Sequence, residues 1–312
     1  MGAAWAFIPW TGQTGCFDAS GMNTACAGSG QDGESRPGVP WPEPRFTVAE
    51  RVALDALTGL SWPVDASAGS WPMTWAEAAA WIESANRDGL LGWHDWRLPS
   101  RRELLYLASP ARARPALPPH HPFKNLFQHW HWTSTPAASA EGHAWRVHLE
   151  GGRMFPGPVE ASHMVMPVRG AGRVPPVSPA LTLGEGAPWP SPRFDVSGVE
   201  ALDRLTGLVW LARVLPGSGG VTWEEALATA RSMGGGWRLA TIFELESLVD
   251  ASTAWPALTP GHPFGKGLDG VWSSTSSGYD HAWAWVLYFG KGAVGVGHKP
   301  GRHFRFLLTK SL

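Results

Sequence analysis

Short apolar runs alternate with turn residues along this chain, and the pattern predicts many brief elements rather than a few long helices. The runs LDALTGLSW at Leu54–Trp62 and LDRLTGLVW at Leu202–Trp210 place apolar residues on both sides of a turn that ends in glycine, which is typical of a β-hairpin. Further along, AWRVHL and AWAWVLYF alternate apolar positions as strands do. Each half of the chain is therefore expected to begin with a hairpin and to end in strands.

Between these strands, Ser/Thr-x-x-Glu quartets indicate the starts of two short helices in each half. In such a capping box the hydroxyl accepts a hydrogen bond from the third backbone amide, and the glutamate bonds back to the first. The pattern explains the four glutamates without acid–base catalysis. The quartets are Thr74–Glu77, Ser100–Glu103, Thr222–Glu225 and Thr241–Glu244.

The two halves also share residue strings in one order, which indicates a tandem duplication. The shared strings are LDxLTGLxW, TWxEA, WRL, HPF, a WTST or WSST string, and HAW at His143–Trp145 and His281–Trp283. Tryptophans that recur at matched points are expected in the shared core, whereas the unmatched Trp130, Trp255 and Trp285 are freer to be exposed. The matched pairs are Trp62/Trp210, Trp75/Trp223, Trp96/Trp237, Trp132/Trp272 and Trp145/Trp283.

The duplication sets the expected domain organisation and an α+β fold class. Residues 1–44 form an N-terminal segment, 45–170 a first domain, 171–192 a Pro/Gly-rich connector with a short strand at its centre, and 193–312 a second domain. The two domains are called copy 1 and copy 2 below. A buried arginine held by a carboxylate or by carbonyls is expected at Arg97 and at Arg238, which follow a matched tryptophan.

The charge, the apolar stretches and the cysteines of the chain bear on its partners and its location. The formal net charge is −1 and no run of Lys or Arg stands out, so a nucleic-acid partner is not expected. No apolar stretch reaches the roughly 18–20 residues that span a bilayer. Cys16 and Cys26 lie in a Gly-rich, loop-like stretch, which favours a disulfide and an exported protein; two free thiols in a cytosolic protein remain the alternative. Met1 to Trp10 lacks the length and basic start of an intact signal peptide.

Together these strings, with WRLPSRREL and TGQTGCFDASGMNTACAGSGQDG, resemble the bacterial family named for the C-terminal domain of the Legionella collagen-like adhesin. The resemblance implies tandem C-type-lectin-like domains, each with two short helices and a small, mostly antiparallel, twisted sheet with long loops. It also implies a secreted, periplasmic or cell-surface location. Two departures are Ala240, where copy 1 has Pro99, and the ending FRFLLTK, where copy 1 has VMPVRG.

The function favoured by the sequence is a non-enzymatic binding or adhesion module for a protein or glycan ligand. In the fold that the resemblance implies, the loops after WSST display variable residues on a rigid base, and aromatic and basic side chains there suit interface anchors. An ordinary solvated loop is the alternative reading. The candidate ligand-binding residues are Tyr279, Asp280, Trp285, Tyr288, Lys291, His298, Lys299 and Arg302.

Other functions have less support in the sequence. An oxidase like the formylglycine-generating relatives needs reactive cysteines in its catalytic domain, and both cysteines here precede the first copy. His129 and His131 alternate as metal ligands on a strand can, but no matching pair exists in copy 2. No catalytic residue, metal or cofactor is therefore expected. A structural, envelope- or filament-associated subunit fits the duplication as well as adhesion does.

Overall fold

The computed structural model of this protein describes residues 5–179, 189–266 and 268–312. The centre of the predicted connector, including its expected short strand, lies outside the described residues. The N-terminal segment is mostly irregular and is closed by the Cys16–Cys26 disulfide, which confirms that prediction. Its elements are β1 (Cys16–Phe17), β2 (Asn23–Thr24) and the short helix α1 (Asp32–Ser35).

Copy 1 follows the predicted order of hairpin, two helices and strands, with a 3-10 turn at Leu90–Gly92 between the helices. Both helices start at the predicted capping boxes, with the reciprocal hydrogen bonds in place. Its elements are β3 (Phe46–Ala49), β4 (Val52–Asp55), β5 (Leu60–Pro63), α2 (Trp75–Arg87), α3 (Arg101–Leu107), β6 (Trp130–Pro136), β7 (His143–His148) and β8 (Met154–Pro158).

Copy 2 repeats this order and adds short strands near its WRL string and its C-terminal end. Its helices also begin at complete capping boxes. Its elements are β9 (Phe194–Ser197), β10 (Glu200–Asp203), β11 (Leu208–Leu211), α4 (Trp223–Met233), β12 (Arg238–Leu239), α5 (Ile242–Ser247), β13 (Gly270–Ser276), β14 (Trp283–Tyr288), β15 (Ala293–His298), β16 (Arg305–Phe306) and β17 (Leu308–Ser311).

One seven-stranded sheet joins the copies, in the order β16-β13-β14-β15-β8-β7-β6. The joining strands β8 and β15 are equivalent in the two copies, and they pair antiparallel at Met154 and Val294. The strands on either side of that pair follow the same order outward, so the copies are related by an approximate two-fold axis through it. The hairpins form the sheets β3-β4-β5 and β12-β17-β11-β10-β9. The α+β class with mostly antiparallel sheets is confirmed.

The main core lies between the second helices of both copies and one face of the shared sheet. α3 packs on β7 and α5 on β14, and the rings of Tyr106 and Phe243 meet with centroids 5.1 Å apart. The first helices cover the opposite face of the sheet, where each copy keeps a smaller cluster around Trp132 or Trp272. The copies therefore share their largest apolar core, and burial of its surface stabilises the junction.

A buried charge cluster sits inside this shared core. Arg102 donates through Nε to a Glu246 carboxylate oxygen at 2.7 Å, and through its Nη atoms to Pro176 and other carbonyls. Arg101 lies 3.6 Å from the same carboxylate and 3.8 Å from the centre of the Trp145 ring. Burial lowers the pKa of Arg101 to about 10, so both guanidinium groups stay charged at neutral pH. The cluster links α3 to α5 across the axis.

Each entry hairpin is fixed by a buried arginine that the sequence analysis did not single out. Arg45 forms a two-bond ion pair with Asp55, and Arg193 forms the same pair with Asp203. The carboxylate of each aspartate also accepts bonds from the turn of its LDxLTG string, as Asp55 does from Thr58. These pairs explain why Arg-Phe precedes both hairpins.

The N-terminal segment packs on copy 2. The Gln13 side chain donates to the backbone oxygen of Ser276 and accepts from its nitrogen, as a neighbouring strand would. Asp32 accepts bonds from Thr11 and Thr275 at 2.8 and 2.6 Å, and burial raises the pKa of its carboxyl to about 6. Copy 1 has Pro136 at the position of Ser276, so it has no backbone donor there for an equivalent contact.

The matched tryptophans are only partly in the core. Seven are buried, namely Trp62, Trp96, Trp132, Trp145, Trp210, Trp223 and Trp272. Trp75 and Trp237 are half-buried and pack at the edges of the smaller clusters, so the core prediction holds for them in part. Trp283 is half-buried and belongs to none of these clusters, so the prediction is wrong for it. No helix of the described residues is long and apolar enough to cross a bilayer.

Candidate functional site

A groove of about 460 Å³ opens at the junction of the two copies. Copy 1 contributes the turn between β7 and β8. Copy 2 contributes β15 and the loop 277–283, which here includes the first residue of β14. The groove is lined by Gly151, Arg153, Ser277, Tyr279, Asp280, Trp283 and Val296. It is called the junction groove below.

Copy 1 fixes one side of the loop 277–283. Gly278 donates its backbone N–H to the Pro110 carbonyl at 2.9 Å, and a Cβ at this glycine would lie 2.2 Å from the Ala111 backbone. Only glycine fits there. The next residue, Tyr279, packs against Gly151 and lies beneath the Arg114 guanidinium, 4.4 Å from its ring centre. These contacts hold the tyrosine at the rim of the groove.

The N-terminal segment fixes the other side of the same loop. Phe17 stacks on His281, with ring centroids 3.6 Å apart and planes 20° from parallel. The buried Lys299 ammonium donates to the backbone oxygens of Phe17 and Asp18, both at 3.1 Å. Burial lowers the pKa of Lys299 to about 8. The loop is thus held between two parts of the chain, which gives a groove wall that is ordered before any ligand arrives.

The groove carries balanced charge and both hydrogen-bonding roles. Asp280 is exposed and accepts from the Ala282 backbone at 2.9 Å, which leaves carboxylate lone pairs toward solvent. Arg153 is exposed as well and brings guanidinium donors. Behind Tyr279, Arg114 and Glu150 lie 3.6 Å apart as an ion pair. Two positive and two negative side chains therefore surround the groove.

The predicted ligand-binding residues do not share one surface. Tyr279 and Asp280 line the junction groove, and His298 lies beside Trp283, with ring centroids 5.3 Å apart. Lys291 is exposed on the turn between β14 and β15. Arg302 pairs with Glu225 at 2.6 Å, at the start of α4.

Tyr288 is half-buried and packs near the rings of Phe155 and Phe304. It is the last residue of β14, and its hydroxyl donates to the Val296 carbonyl at 3.3 Å. The tyrosine therefore serves packing between strands of the shared sheet, and it is not among the residues that line the groove.

Two of the predicted residues are not on the surface at all, and the prediction is wrong for them. Trp285 is 1% exposed and donates its indole N–H to the Pro110 carbonyl across the junction. Lys299 is 0% exposed because the N-terminal segment covers it. Both hold copy 2 against other parts of the chain.

The mistake at Trp285 comes from the HAW match. In the structure, equivalent residues of the shared sheet carry numbers that differ by 140, as Trp132 and Trp272 do. Trp145 is therefore equivalent to Trp285, and His143 to Trp283. The equal spacing from the WTST and WSST strings would have given this alignment.

Five residues that line the groove are not among the predicted ligand-binding residues, namely Gly151, Arg153, Ser277, Trp283 and Val296. Trp283 was assigned to the core through the HAW match. The sequence held no signal for Gly151 and Arg153, because only the pairing of β8 with β15 brings them against copy 2.

The opposite side of the two-fold axis has different side chains. Where copy 2 has Tyr279, Asp280 and Trp283, copy 1 has Ser139, Ala140 and His143. The positions of Gly151 and Arg153 are taken by Lys291 and Ala293 in copy 2, so the second side combines residues of both copies as the first does. The set of these five equivalents is called the mirror positions below, and it lacks the large aromatics, the carboxylate and the guanidinium.

Copy 1 carries a histidine cluster on β6, on β7 and on the segment that follows β8. Burial lowers the pKa of His131, His148 and His163 to about 4 in each case. Arg146 lies 2.6 Å from His163 Nε2 and sits over the Trp130 ring. In the described ranges no three His, Cys, Asp or Glu side chains are grouped to hold a metal ion.

Arg97 and Arg238 are held by a carboxylate as the sequence predicts, but both are half-buried and not fully buried. Each makes two hydrogen bonds to the capping glutamate of the next helix, Glu103 or Glu244. These glutamates are thereby used twice, for the cap and for the arginine. Both glutamates therefore have a structural role, and neither carboxylate is available for acid–base catalysis.

The comparisons with known proteins agree with the duplicated architecture. No curated protein matches the chain. The family model of the Lcl C-terminal domain matches residues 51–169 and again residues 200–308. These two matches lie inside the predicted domains 45–170 and 193–312 and cover most of the chain. The chain therefore belongs to the Lcl C-terminal domain family and contains two tandem copies of that domain.

Proposed function

We propose that this chain is an exported, non-enzymatic binding protein with two C-type-lectin-like domains, and that it recognises a protein or glycan ligand in the junction groove. The disulfide supports export, because such bonds persist in oxidising compartments. The groove depends on both copies and on the N-terminal segment. In this proposal the duplication creates a site that one copy alone would lack.

The observation that carries the proposal is the ordered, chemically mixed wall of the groove. Tyr279, Asp280 and Trp283 stand on a loop that is fixed from two sides. Concave sites with a few placed polar groups among aromatic side chains are the usual form of small binding sites. A loop that only connects two strands would not require contacts with both copy 1 and the N-terminal segment.

An enzymatic role has less support. The chain has two cysteines, and both are joined in the disulfide of the N-terminal segment. Chemistry of the formylglycine-generating kind needs a reactive thiol, which this pairing removes. The capping glutamates and the buried Arg–Asp pairs are likewise used for structure. Binding is the role that the free groups of the groove can perform.

The test is a binding screen with groove and mirror variants. The full chain is applied to a glycan array and used to capture proteins from a bacterial envelope extract. Arg153→Ala with Asp280→Ala removes the exposed charged groups of the groove, and it is expected to abolish the captured signal. His143→Ala with Lys291→Ala changes the mirror positions and is the matched control that should bind as the native chain does.

Two outcomes would contradict the proposal. Equal loss in both double variants would mean that the groove has no special part in binding. Capture of an envelope protein that neither variant weakens would instead favour a structural envelope subunit. Thermal unfolding of each variant shows whether a loss of binding reflects a loss of folding.

A further inference from the structure

We infer that the junction groove binds one uncharged hexopyranose unit of a glycan, without a metal ion. This inference rests on the proposed function and adds the chemical class of its ligand. It follows from four features of the groove, which are its aromatic side chains, its hydrogen-bonding groups, its charge balance and the pairing of β14 on both sides.

The aromatic side chains suit the apolar face of a sugar ring. Trp283 is half-buried and lines the groove, so part of its indole is open to a ligand. Tyr279 stands at the rim and is 46% exposed. Val296 adds an apolar patch from β15. The C–H groups on one side of a pyranose can pack against such surfaces, as amphipathic groups do on exposed indole and phenol rings.

The polar groups suit hydroxyls. The Asp280 carboxylate only accepts hydrogen bonds, and the Arg153 guanidinium only donates them. A hydroxyl does both, so neighbouring hydroxyls of one ring can satisfy both side chains at once. Because each bond involves a charged partner, it is stronger than a bond between neutral groups.

The charge balance selects against strongly charged ligands. Arg153 and Asp280 are the charged residues that line the groove, and Arg114 is paired with Glu150 behind Tyr279. The lining therefore offers no net charge to a sulfated sugar or to a basic peptide. The volume of about 460 Å³ lies in the range of roughly 300–1,000 Å³ for small-molecule sites. One sugar ring, with its neighbours outside the groove, fits these limits.

The strand β14 beside the groove offers no free edge to an extended peptide. β14 is paired with β15 along its whole length, from Trp283 with His298 to Tyr288 with Ala293. On its other side β14 is paired with β13. A peptide that adds a strand needs unpaired backbone groups at a sheet edge. β14 therefore has none to give, which favours side-chain recognition of a compact ligand.

The experiment is saturation-transfer NMR with titration calorimetry on the full chain. The probes are the methyl glycosides of glucose, galactose, mannose and N-acetylglucosamine, in buffer with a metal chelator. At least one glycoside is expected to bind in the millimolar range or tighter. Trp283→His and Asp280→Ala install the residues of copy 1 at these positions, and each should weaken binding at least tenfold.

Trp255→Ala is the control, because this tryptophan is 68% exposed away from the junction groove. It should bind the glycoside as the native chain does. If Trp283→His lowers the melting temperature, Asp280→Asn keeps the side-chain shape and should still weaken binding. Binding that survives both changes at Asp280 would overturn the inference.

The remaining outcomes separate the inference from the proposed function. Stronger binding of a sulfated heparin disaccharide than of every neutral glycoside would overturn the ligand class. The same holds if all glycosides fail while capture from envelope extract still depends on Arg153 and Asp280, and then the groove binds another ligand. Failure of glycosides together with groove-independent capture would remove both proposals.

Discussion

The loops 137–143 and 277–283 occupy equivalent places in the two copies and differ at every position. Both connect the same pair of strands with the same length, and both follow a buried tryptophan at Trp132 or Trp272. The loop in copy 2 is covered by the N-terminal segment and touches copy 1 through Gly278. The two copies therefore share a frame, and the side chains on the rim differ between the two sides of the axis.

The second helices show the same divergence inside the core. α3 carries Arg101 and Arg102 where α5 has Ile242 and Phe243, and α5 carries Glu246 where α3 has Leu105. The charges complement each other only when copy 1 faces copy 2. Two copies with the sequence of copy 1 would bury arginines without a carboxylate, and two with the sequence of copy 2 would bury carboxylates without an arginine; either is costly. The cluster therefore makes the pairing of the copies specific.

The largest effect is expected at this cluster. Glu246→Leu installs the residue of copy 1 and leaves two buried guanidinium groups without their carboxylate, which should lower the free energy of unfolding by about 5 kcal/mol. Urea unfolding of the full chain measures it. Adding Arg101→Ile and Arg102→Phe should recover much of the loss, because the charges are then removed together. A loss below about 1 kcal/mol for Glu246→Leu would show that the cluster does not couple the copies.

The matched pair Trp96 and Trp237 should contribute unequally to stability, although their matched positions in the sequence predict equal contributions. Trp96 is 2% exposed and donates to the Leu90 carbonyl, so Trp96→Ala should cost about 3–4 kcal/mol. Trp237 is half-buried beneath Lys310, and Trp237→Ala should cost about 1–2 kcal/mol. Both values come from denaturant midpoints. Equal losses would contradict the burial difference between the copies.

Acid should destabilise copy 1 through its histidines. A buried histidine with a pKa of about 4 takes up its proton less readily than the unfolded chain does, near pH 6.5. Its stabilising contribution is therefore complete above pH 6.5 and falls as the pH drops toward 4, by about 3 kcal/mol for the fully buried His131. The raised pKa of Asp32 has the opposite effect. Protonation of its carboxyl adds to the stability of the folded chain as the pH falls from about 6 to its ordinary pKa of 3.8.

His131→Val tests this effect, because valine is the residue of copy 2 at the equivalent position, Val271. The free energy of unfolding of the variant should fall less steeply than that of the native chain between pH 6.5 and pH 4. Chemical denaturation at a series of pH values measures both. An unchanged acid slope would mean that His131 is not held neutral by burial.

Much of the frame followed from the sequence, because its signals are local. The four capping boxes predict the helix starts, and the repeated LDxLTG strings predict the hairpins. The groove did not follow, since Gly151 and Arg153 reach copy 2 only through the pairing of β8 with β15. Burial of Lys299 and Trp285 likewise depends on the N-terminal segment and on copy 1, which local patterns do not encode.

The claim that ligand binds in the junction groove and not at the mirror positions is tested most directly by hydrogen–deuterium exchange of the full chain. Exchange is measured with and without the methyl glycoside that gives the strongest saturation-transfer signal. The account predicts slower exchange on binding in residues 150–154, 277–283 and 294–298. Residues 137–143 and 290–293, which hold the mirror positions, should exchange as before. Protection at the mirror positions, or only outside both sets, would contradict the claim that copy 2 and the β7–β8 turn of copy 1 form the binding site.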